Sequence, residues 1–413
     1  MASNKVALLE PFENCVYQRD NQNFTLIPVS GTVPAGTVNV TAILTPVKAP
    51  ITAPIEQTIP VDKDGNFGGS IRVPGGWYSL KVKAGDASFL VRRVGAGEVF
   101  ILFGHSFMQG GHDTSYQLPA TDERSVTLLD NLTEQNNLFG KITTEVGPFH
   151  ETPDYVGQLA DRMVARLGVP VMFYGCAYGG SNILQTYQLL TGVSGRQLPP
   201  GAKEPTRQPF TPVEDVLTKY VPKTGVRAIL MEHGYNDRDS DTATFETQFR
   251  YVMDYVRNNY NLPDLAIVIV QEQLTQVPMT LAAPNTAAGI ANLLKTYPNM
   301  YKGPDFNEAQ WSLMWIQHDH LFGPAIDQFA IDWNKSLSDS FFSTSTPYPA
   351  MGADVLPVVL YQAPTTPIKP FDWLLLAIMV VCLVGIFLSK AKYFMWAFVF
   401  LALIGLGRVT GKI

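Results

Sequence analysis

Four short apolar runs, each followed by glycine or by polar residues, constrain the fold of this chain more than any other feature. The runs are Val99–Phe103, Val169–Tyr174, Val226–Met231 and Leu265–Val270. Predominantly apolar composition over so few residues is typical of strands that are buried on both faces, as in parallel sheets. We therefore predict that a parallel sheet forms the centre of the fold.

Amphipathic segments separate these runs. Pro153–Leu167 spaces its apolar side chains at the helical period, with Thr152 placed to cap the helix and Gly168 placed to end it. Further helices are predicted near Phe245–Asn258 and Ala325–Leu337. Alternating strands and helices indicate a doubly wound α/β sheet, in which sites form beyond the C-terminal ends of the strands. We assign residues 98–342 to this α/β domain.

The preceding part of the chain has the pattern of an all-β domain. Between Gln18 and Val94, short alternating runs are separated by turn signals, and the spacing predicts a small β-sandwich over residues 1–97. The segment Asp62–Asn66 resembles a calcium loop. However, an EF-hand needs glycine and glutamate where this chain has Phe67 and Val73, so a hairpin turn is the better interpretation.

The C-terminal segment has the composition of a membrane element. Trp373–Leu388 and Tyr393–Leu406 are free of charge, but each is shorter than the ~20 residues that span a bilayer. They would form either a helical hairpin or one longer helix whose Lys390 and Lys392 reach the interface. A buried hairpin of a soluble domain is the alternative. We expect residues 372–413 to contact a lipid bilayer and the proline-rich residues 343–371 to act as a linker.

Charge and cysteine content exclude several classes of protein. The chain has 30 Lys and Arg residues against 36 Asp and Glu residues, and the 413-residue sequence carries a net charge of −6. The main body has no basic stripe, so nucleic acid is not an expected partner. The three cysteines are far apart, which argues against a disulfide framework or a cysteine zinc site. The N-terminus has no apolar core of a signal peptide.

Residues suited to acyl transfer follow three of the predicted strands. Ser106 follows the first strand, a Gly-Gly-Ser sequence at 179–181 follows the second, and Asn236 follows the third. All six histidines lie between residues 105 and 320: His105, His112, His150, His233, His318 and His320. Together these residues outline a nucleophile, an oxyanion site and a base.

Four blocks of this sequence resemble the sialate O-acetylesterase type of the SGNH/GDSL hydrolase superfamily. Gly97-Glu98-Val99-Phe100 followed by Gly104-His105-Ser106-Phe107 is similar to the family's GEVF…GQSN block, and Gly179-Gly180-Ser181-Asn182-Ile183 is similar to its GG[TS]xI block. Gly234-Tyr235-Asn236-Asp237 matches the GxND block, and His320 stands at the position of the histidine in the final DxxH block. The resemblance covers roughly residues 94–337.

The resemblance implies a role for each matching residue. Ser106 would be the nucleophile, with oxyanion donors from its own N–H, from Gly180 (or Gly179) and from the Asn236 side chain. His320 would be the base. Residues of the surrounding loops would contact substrate: His105, His233, Tyr178 and Asp237. This serine mechanism needs neither a metal nor a cofactor, and we expect none.

The sequence departs from the family pattern at three positions. Gln317 replaces the aspartate that orients the base, so Asp319 or a backbone carbonyl would have to orient His320. Phe107 replaces the asparagine after the serine, and His105 replaces the glutamine before it. Because the orienting group mainly fixes the tautomer and orientation of the histidine, its loss often weakens catalysis without abolishing it.

Three functional hypotheses remain open at this point. The first is a membrane-anchored serine esterase that removes O-acetyl groups from glycans. The second is a glycan- or receptor-binding surface protein that keeps the pocket without turnover, for example on a membrane-containing virus or phage; the aromatic residues Tyr174, Tyr178, Tyr235 and Phe322 would stack on sugars. The third is a metal hydrolase using His318 and His320 with His233, His105 or Asp319.

Two further expectations concern regions outside these motifs. The long polar segment His112–Gly147 lacks a periodic pattern and is predicted to be an insertion or lid on the substrate side. A homo-oligomer packed around the C-terminal segment is compatible with the sequence.

Overall fold

A single long strand, Ala87–Gly104, runs from the predicted β-sandwich into the predicted α/β domain. The computed structural model describes residues 6–110, 115–129, 139–143, 145–149, 154–271, 284–306, 311, 316–317 and 320–350. The predicted membrane element, 372–413, and most of the predicted linker lie outside the described residues. Within the part that is described, no helix is both long enough and apolar enough to cross a bilayer.

The described strands are numbered in chain order. Those that begin before residue 100 are β1 Ala7–Glu10, β2 Val16–Gln18, β3 Phe24–Thr32, β4 Asn39–Lys48, β5 Ile55–Pro60, β6 Asn66–Pro74, β7 Gly76–Ala84 and β8 Ala87–Gly104. Those that follow are β9 Ser125–Leu128, β10 Phe139–Lys141, β11 Val171–Gly175, β12 Ala228–Glu232, β13 Ala266–Gln271, β14 Met300–Asp305, β15 Ile316–Gln317 and β16 His320–Leu321.

The described helices are also numbered in chain order. They are α1 Ser106–Gln109, α2 Val156–Leu167, α3 Ile183–Thr191, α4 Thr211–Asp215, α5 Val221–Thr224, α6 Thr242–Asn259, α7 Pro284–Thr296, α8 Pro324–Ser336 and α9 Asp339–Thr344. A short π-helix, Val216–Tyr220, joins α4 to α5, and a 3₁₀ turn, Tyr235–Asp237, follows β12.

The N-terminal part is the predicted β-sandwich. One layer has the strand order β1-β3-β6, and the other is formed by β5, β4, β7 and β8. Apolar residues from both layers share one buried core, including Ile27, Val73, Leu44 and Val82. The turn at Asp62–Asn66 is the predicted hairpin turn, because the Asp62 carboxylate accepts hydrogen bonds from the backbone N–H groups of Asp64 and Asn66 at 2.9 and 2.8 Å.

The second part is the predicted doubly wound sheet. Six strands lie parallel in the order β9-β11-β8-β12-β13-β14, and β10 adds an antiparallel edge strand. All four apolar runs form strands. Strands β9 and β10 lie within the segment 112–147, which the sequence predicts to be an insertion or lid on the substrate side. Both are very short, and polar residues such as Ser125 and Thr127 interrupt the apolar pattern of β9.

Strand β8 is buried on both of its faces. Its residues alternate between two cores, with Val99, Ile101 and Phe103 on one face and Phe100 and Leu102 on the other. Helices α6 and α7 contribute to the first core, and α2 and α8 to the second. This alternation is the expected two-residue period of a strand that is buried on both sides.

Helix α2 carries the predicted apolar stripe. Its buried side chains are Val156, Leu159, Ala160, Met163 and Val164. Gly168 ends the helix in a left-handed conformation with φ 73°, and its N–H donates to the Val164 carbonyl at 3.0 Å. The described helix begins at Val156, and the predicted cap Thr152 lies outside the described residues.

A buried ionic cluster joins the two parts beneath the sheet. Glu98 of β8 is fully buried and forms a bidentate ion pair with Arg227, which precedes β12. Arg19 and Gln18, which come from the sandwich, also donate to the Glu98 carboxylate, at 2.8 and 2.9 Å. Arg227 extends the cluster by donating to the Asn21 side chain at 3.0 Å.

The charges in this cluster determine the ionisation of Glu98. Burial by itself would raise the pKa of Glu98, but the Arg227 and Arg19 guanidinium groups outweigh burial and hold this pKa below its ordinary value. The stabilisation is therefore present above the pKa of an unfolded glutamate, about 4.3, and is lost as the pH falls through the lower folded value. The predicted domain boundary at residues 97/98 falls within β8, next to this cluster.

We predict that Glu98→Gln lowers the free energy of unfolding by about 3–5 kcal/mol near pH 7, because Arg227 would stay buried without its counter-charge. Urea denaturation measures this loss. Asp64→Asn, which removes the exposed ion pair with Lys63, is the control and should change stability by less than about 1 kcal/mol. Equal stability of Glu98→Gln and wild type at pH 7 would contradict a stabilising role for the Glu98–Arg227 ion pair.

Candidate functional site

The loops that follow β8, β11 and β12 meet at one edge of the sheet. Leu102 of β8 pairs with Gly175 at the end of β11, and Gly104 pairs with Glu232 at the end of β12. Because the three strands are parallel and end at the same level, their following residues share one rim. The structure therefore confirms the predicted meeting of the three strand ends.

Gly104 permits the sharp turn from β8 into α1. Its φ is +145°, and a Cβ at this position would lie 2.2 Å from the Glu232 carbonyl oxygen. Only glycine fits both this conformation and this close approach. His105 follows and caps α1, since its Nδ1 accepts from the backbone N–H of Phe107 at 3.5 Å. Ser106 is thereby placed at the first residue of the short helix.

Ser106 and His320, which the sequence predicts to be nucleophile and base, lie within hydrogen-bond distance of each other. The Oγ atom of Ser106 lies 2.7 Å from Nε2 of His320, and both residues are half-buried. His320 is brought there by the two-stranded ribbon β15–β16, in which Gln317 pairs with His320. The distance is that of a hydrogen bond through which a proton can pass from the hydroxyl to the imidazole.

An aromatic side chain lies against the base. The ring of Phe107 stacks on the His320 imidazole, with centroids 5.7 Å apart and planes 19° from parallel. Phe107 itself is buried and is contacted at its edges by other rings. The residue that departs from the family pattern next to the nucleophile is therefore in direct contact with the base.

Gly179, rather than Gly180, lies beside the nucleophile. A Cβ built on Gly179 would lie 3.9 Å from the Ser106 Cβ, whereas one on Gly180 would meet Pro200. The N–H of Gly179 donates to the side-chain Oε1 of Gln109 at 2.6 Å. The Gly179 N–H, a candidate donor to the carbonyl oxygen of an ester, is thus already hydrogen-bonded to the Gln109 side chain. Nothing in the sequence motifs pointed to Gln109.

Asn236 ties the second and third loops together. Its Nδ2 donates to the Ser181 carbonyl at 2.9 Å, and its own carbonyl accepts from the Asn182 side chain at 3.3 Å. Ser181 is fully buried and donates through Oγ to the Gly104 carbonyl at 3.1 Å. The three loops are therefore cross-linked at the rim, with the half-buried Asn236 among them.

Asp237 acts on the backbone of the neighbouring loop. Its Oδ1 accepts from the N–H groups of Ile183 and Leu184 at 2.9 and 3.4 Å, at the start of α3. The side chain is 3% exposed. Asp237 therefore fixes the end of the loop that carries Gly179. At this exposure the carboxylate offers little surface to a substrate.

His105 and His233 lie beneath the rim. His105 is 1% exposed and His233 is 0% exposed, and their rings are 6.1 Å apart. Burial, followed by the proximity of His105, holds the pKa of His233 well below its ordinary value, so the ring is neutral. Neither side chain, in this conformation, has the surface that the predicted substrate contact requires. Both rings are packed in the interior, and His105 in addition caps α1.

Tyr178 is the predicted substrate-contacting residue with an accessible side chain. It is half-buried, its hydroxyl donates to the Pro200 carbonyl at 3.0 Å, and its ring stacks on Phe149 with centroids 5.2 Å apart. Sequence reasoning missed Phe149, which lies far from the motifs along the chain. The two rings form an aromatic wall next to the loop of Gly179.

Other predicted residues cannot be placed. Asp319 and His318, with His112 and His150, lie outside the described residues, and so the orienting role of Asp319 stays a prediction. Among the described residues, no group of three or more His, Cys, Asp or Glu side chains is arranged to hold a metal ion.

Comparison with solved structures identifies the fold. A carbohydrate acetylesterase from Xanthomonas citri matches with a TM-score of 0.50 and 16% identity over 80% of this chain and 74% of that protein. A protein from Arabidopsis thaliana (TM-score 0.42, 16% identity, 60% and 98% coverage) and a family two carbohydrate esterase from Clostridium thermocellum (0.34, 12%, 76% and 93%) also match. No protein-family model and no curated protein matches the sequence. This chain thus shares its fold with a carbohydrate acetylesterase, as the resemblance predicts.

Proposed function

We propose that this protein is a serine esterase that removes acetyl groups from carbohydrate. The observation that carries the proposal is the 2.7 Å contact between Ser106 Oγ and His320 Nε2 at the C-terminal edge of a parallel sheet. The fold shared with a carbohydrate acetylesterase supports a carbohydrate ester as the substrate. The aromatic wall formed by Tyr178 and Phe149 supports it further, because sugar rings pack on such faces.

The proposed reaction has two halves. His320 Nε2 takes the proton of Ser106 as Oγ forms a bond to the acetyl carbon, and the carbonyl oxygen becomes an oxyanion. As this intermediate collapses, the bond to the sugar oxygen breaks and His320 returns the proton to that oxygen. Water, deprotonated by the same imidazole, then attacks the acetyl-serine and releases acetate and free Ser106.

The oxyanion needs hydrogen-bond donors that are already in position. The backbone N–H of Ser106, the N–H of Gly179 and the Asn236 side chain are the candidates. One such donor typically contributes about 2.7–4 kcal/mol to transition-state stabilisation. The acetyl oxygen would take the place of Gln109 Oε1 on the Gly179 N–H, so Gln109 has to turn aside when substrate binds.

Replacing the nucleophile tests the proposal most simply. We predict that Ser106→Ala reduces acetate release from 4-nitrophenyl acetate and from acetylated glycans by about 10⁴-fold or more, because no acetyl-serine can form. Circular dichroism should be unchanged. Ser88→Ala, at an exposed serine of the sandwich, is the control and should behave as wild type. Full activity of Ser106→Ala would refute the mechanism, and glycan binding without turnover by wild type would favour the binding-protein alternative.

Replacing Tyr178 tests the substrate class. We expect Tyr178→Ala to raise KM for an acetylated sugar several-fold while the KM for 4-nitrophenyl acetate changes little, because only the sugar would use the aromatic face. Tyr251→Ala removes an exposed aromatic ring from α6 and serves as the control. If the two substrates were affected equally by Tyr178→Ala, the wall would not be a sugar subsite.

We also propose that the C-terminal segment 372–413 anchors the esterase to a lipid bilayer; the sequence alone supports this. The full-length chain should float with liposomes in a density gradient, and a chain ending at residue 371 should stay in the soluble fraction. Flotation of both chains, or of neither, would contradict the anchor.

A further inference from the structure

The contact between Phe107 and His320 has a geometry that bears on proton transfer. The two rings are nearly parallel, 19° apart in plane and 5.7 Å apart between centroids. The Nε2 atom of the same imidazole contacts Ser106 Oγ at 2.7 Å. Phe107 follows Ser106 directly in the chain, so one short helix supplies both the nucleophile and the surface on which the base rests.

The position of the Phe107 ring is fixed by the core. Its edges meet the rings of His105 and Phe306, each at 5.8 Å, and of Phe329 at 6.5 Å, with interplanar angles between 68° and 84°. Phe107 is 5% exposed, and Phe306 and Phe329 are almost completely buried. A ring held by three neighbours in this way cannot tilt freely, and the imidazole stacked on it shares that restriction.

The stack also favours one protonation state of the base. The face of a benzene ring carries partial negative charge and attracts a cation within about 6 Å of its centroid. During acyl transfer the imidazole becomes an imidazolium. A Phe face at 5.7 Å therefore stabilises the charged form more than the neutral form, and the half-buried position of His320 limits the screening by water.

We propose that Phe107 is a positioning residue for the catalytic base, which holds the His320 ring plane against Ser106 and stabilises its protonated form. This inference rests on the proposed function, because it assigns Phe107 a role in that same site. It does not depend on which group contacts the other ring nitrogen of His320.

Other titratable groups on the surrounding elements also affect the pKa of His320, so a test must leave them unsubstituted. They are His105 before α1, Asp305 at the end of β14, and Asp327 in the first turn of α8, whose carboxylate accepts from the Tyr116 hydroxyl at 2.5 Å. His318 and Asp319 adjoin His320 in the chain and lie outside the described residues. Substitutions at Phe107 leave all of these groups in place.

The test compares two leucine variants of the full-length chain. Phe107→Leu removes the stacked ring, whereas Phe341→Leu removes a buried ring of the same core that packs against Tyr301 and Phe342. The pKa of His320 is measured by NMR of selectively labelled histidines, assigned with His320→Gln. The pH dependence of kcat/KM gives an independent value. Phe107→Tyr keeps the aromatic face, and Phe107→Met keeps the buried volume if the leucine variant does not fold.

We expect Phe107→Leu to lower the pKa of His320 by about half a unit and kcat by about three- to tenfold, with KM little changed. Phe107→Tyr should restore both. Phe341→Leu should lower the thermal stability to a similar extent but leave the pKa of His320 and kcat near their wild-type values. Phe107→Met, which lacks the aromatic face, should behave as Phe107→Leu.

Two results separate this inference from the proposed function. If the wild type hydrolyses acetyl esters but both leucine variants share the wild-type pKa of His320, the inference is overturned and the proposed function stands. If the pKa falls in Phe107→Leu alone, in a chain that hydrolyses no ester, the stacking effect is supported and the proposed function is overturned.

Discussion

Strand β8 has to satisfy two environments at once, and the rest of the structure depends on how it does so. Its N-terminal half pairs with β7 in the sandwich, and its C-terminal half lies between β11 and β12 in the parallel sheet. The passage between the two carries Glu98, a charge in a fully buried position. Such a charge is tolerated only when it is paired and hydrogen-bonded, and Arg227, Arg19 and Gln18 provide those partners from both parts of the protein. Strand β8, which ends just before Ser106, is thereby fixed where it enters the parallel sheet.

At the rim beyond the end of β8, hydrogen bonds between polar groups likewise hold the loops together. The loops at this rim are bound to one another by polar contacts: Ser181 to Gly104, Asn236 to Ser181, and Asp237 to the start of α3. These bonds use backbone groups that would otherwise be unsatisfied at the ends of strands and helices. A nucleophile, a base and oxyanion donors must hold their relative positions within a fraction of an ångström, and a cross-linked set of loops provides that rigidity.

Much of the fold could be predicted because apolar runs and amphipathic stripes report burial directly. The four predicted parallel strands, helix α2 and the Asp62 turn all formed as expected. Strand β9 was missed because Ser125 and Thr127 interrupt its short apolar pattern, and β14 was missed because Lys302, Gly303 and Pro304 interrupt it. Such strands become recognisable only through their neighbours in the sheet.

The sequence predicts which residues lie at the site and their order along the chain, but it does not predict the direction in which their side chains point. The Ser106–His320 pair follows from motifs, whereas the choice between Gly179 and Gly180 depends on backbone angles that a sequence does not display. His105 and His233 follow strands in the same way as the catalytic residues, yet they turn inward and are buried. Gln109, Phe149 and the stacking of Phe107 on His320 arise from tertiary packing and carry no local signal.

In the proposed mechanism, His320 activates Ser106 as a nucleophile. Mass spectrometry of the full-length chain after reaction with a fluorophosphonate, which forms a stable covalent bond with activated serines, tests it most directly. The account predicts one adduct per chain on the peptide that contains Ser106, formed far more slowly in His320→Ala. An unmodified Ser106, or equal labelling of Ser106 in wild type and His320→Ala, would contradict it.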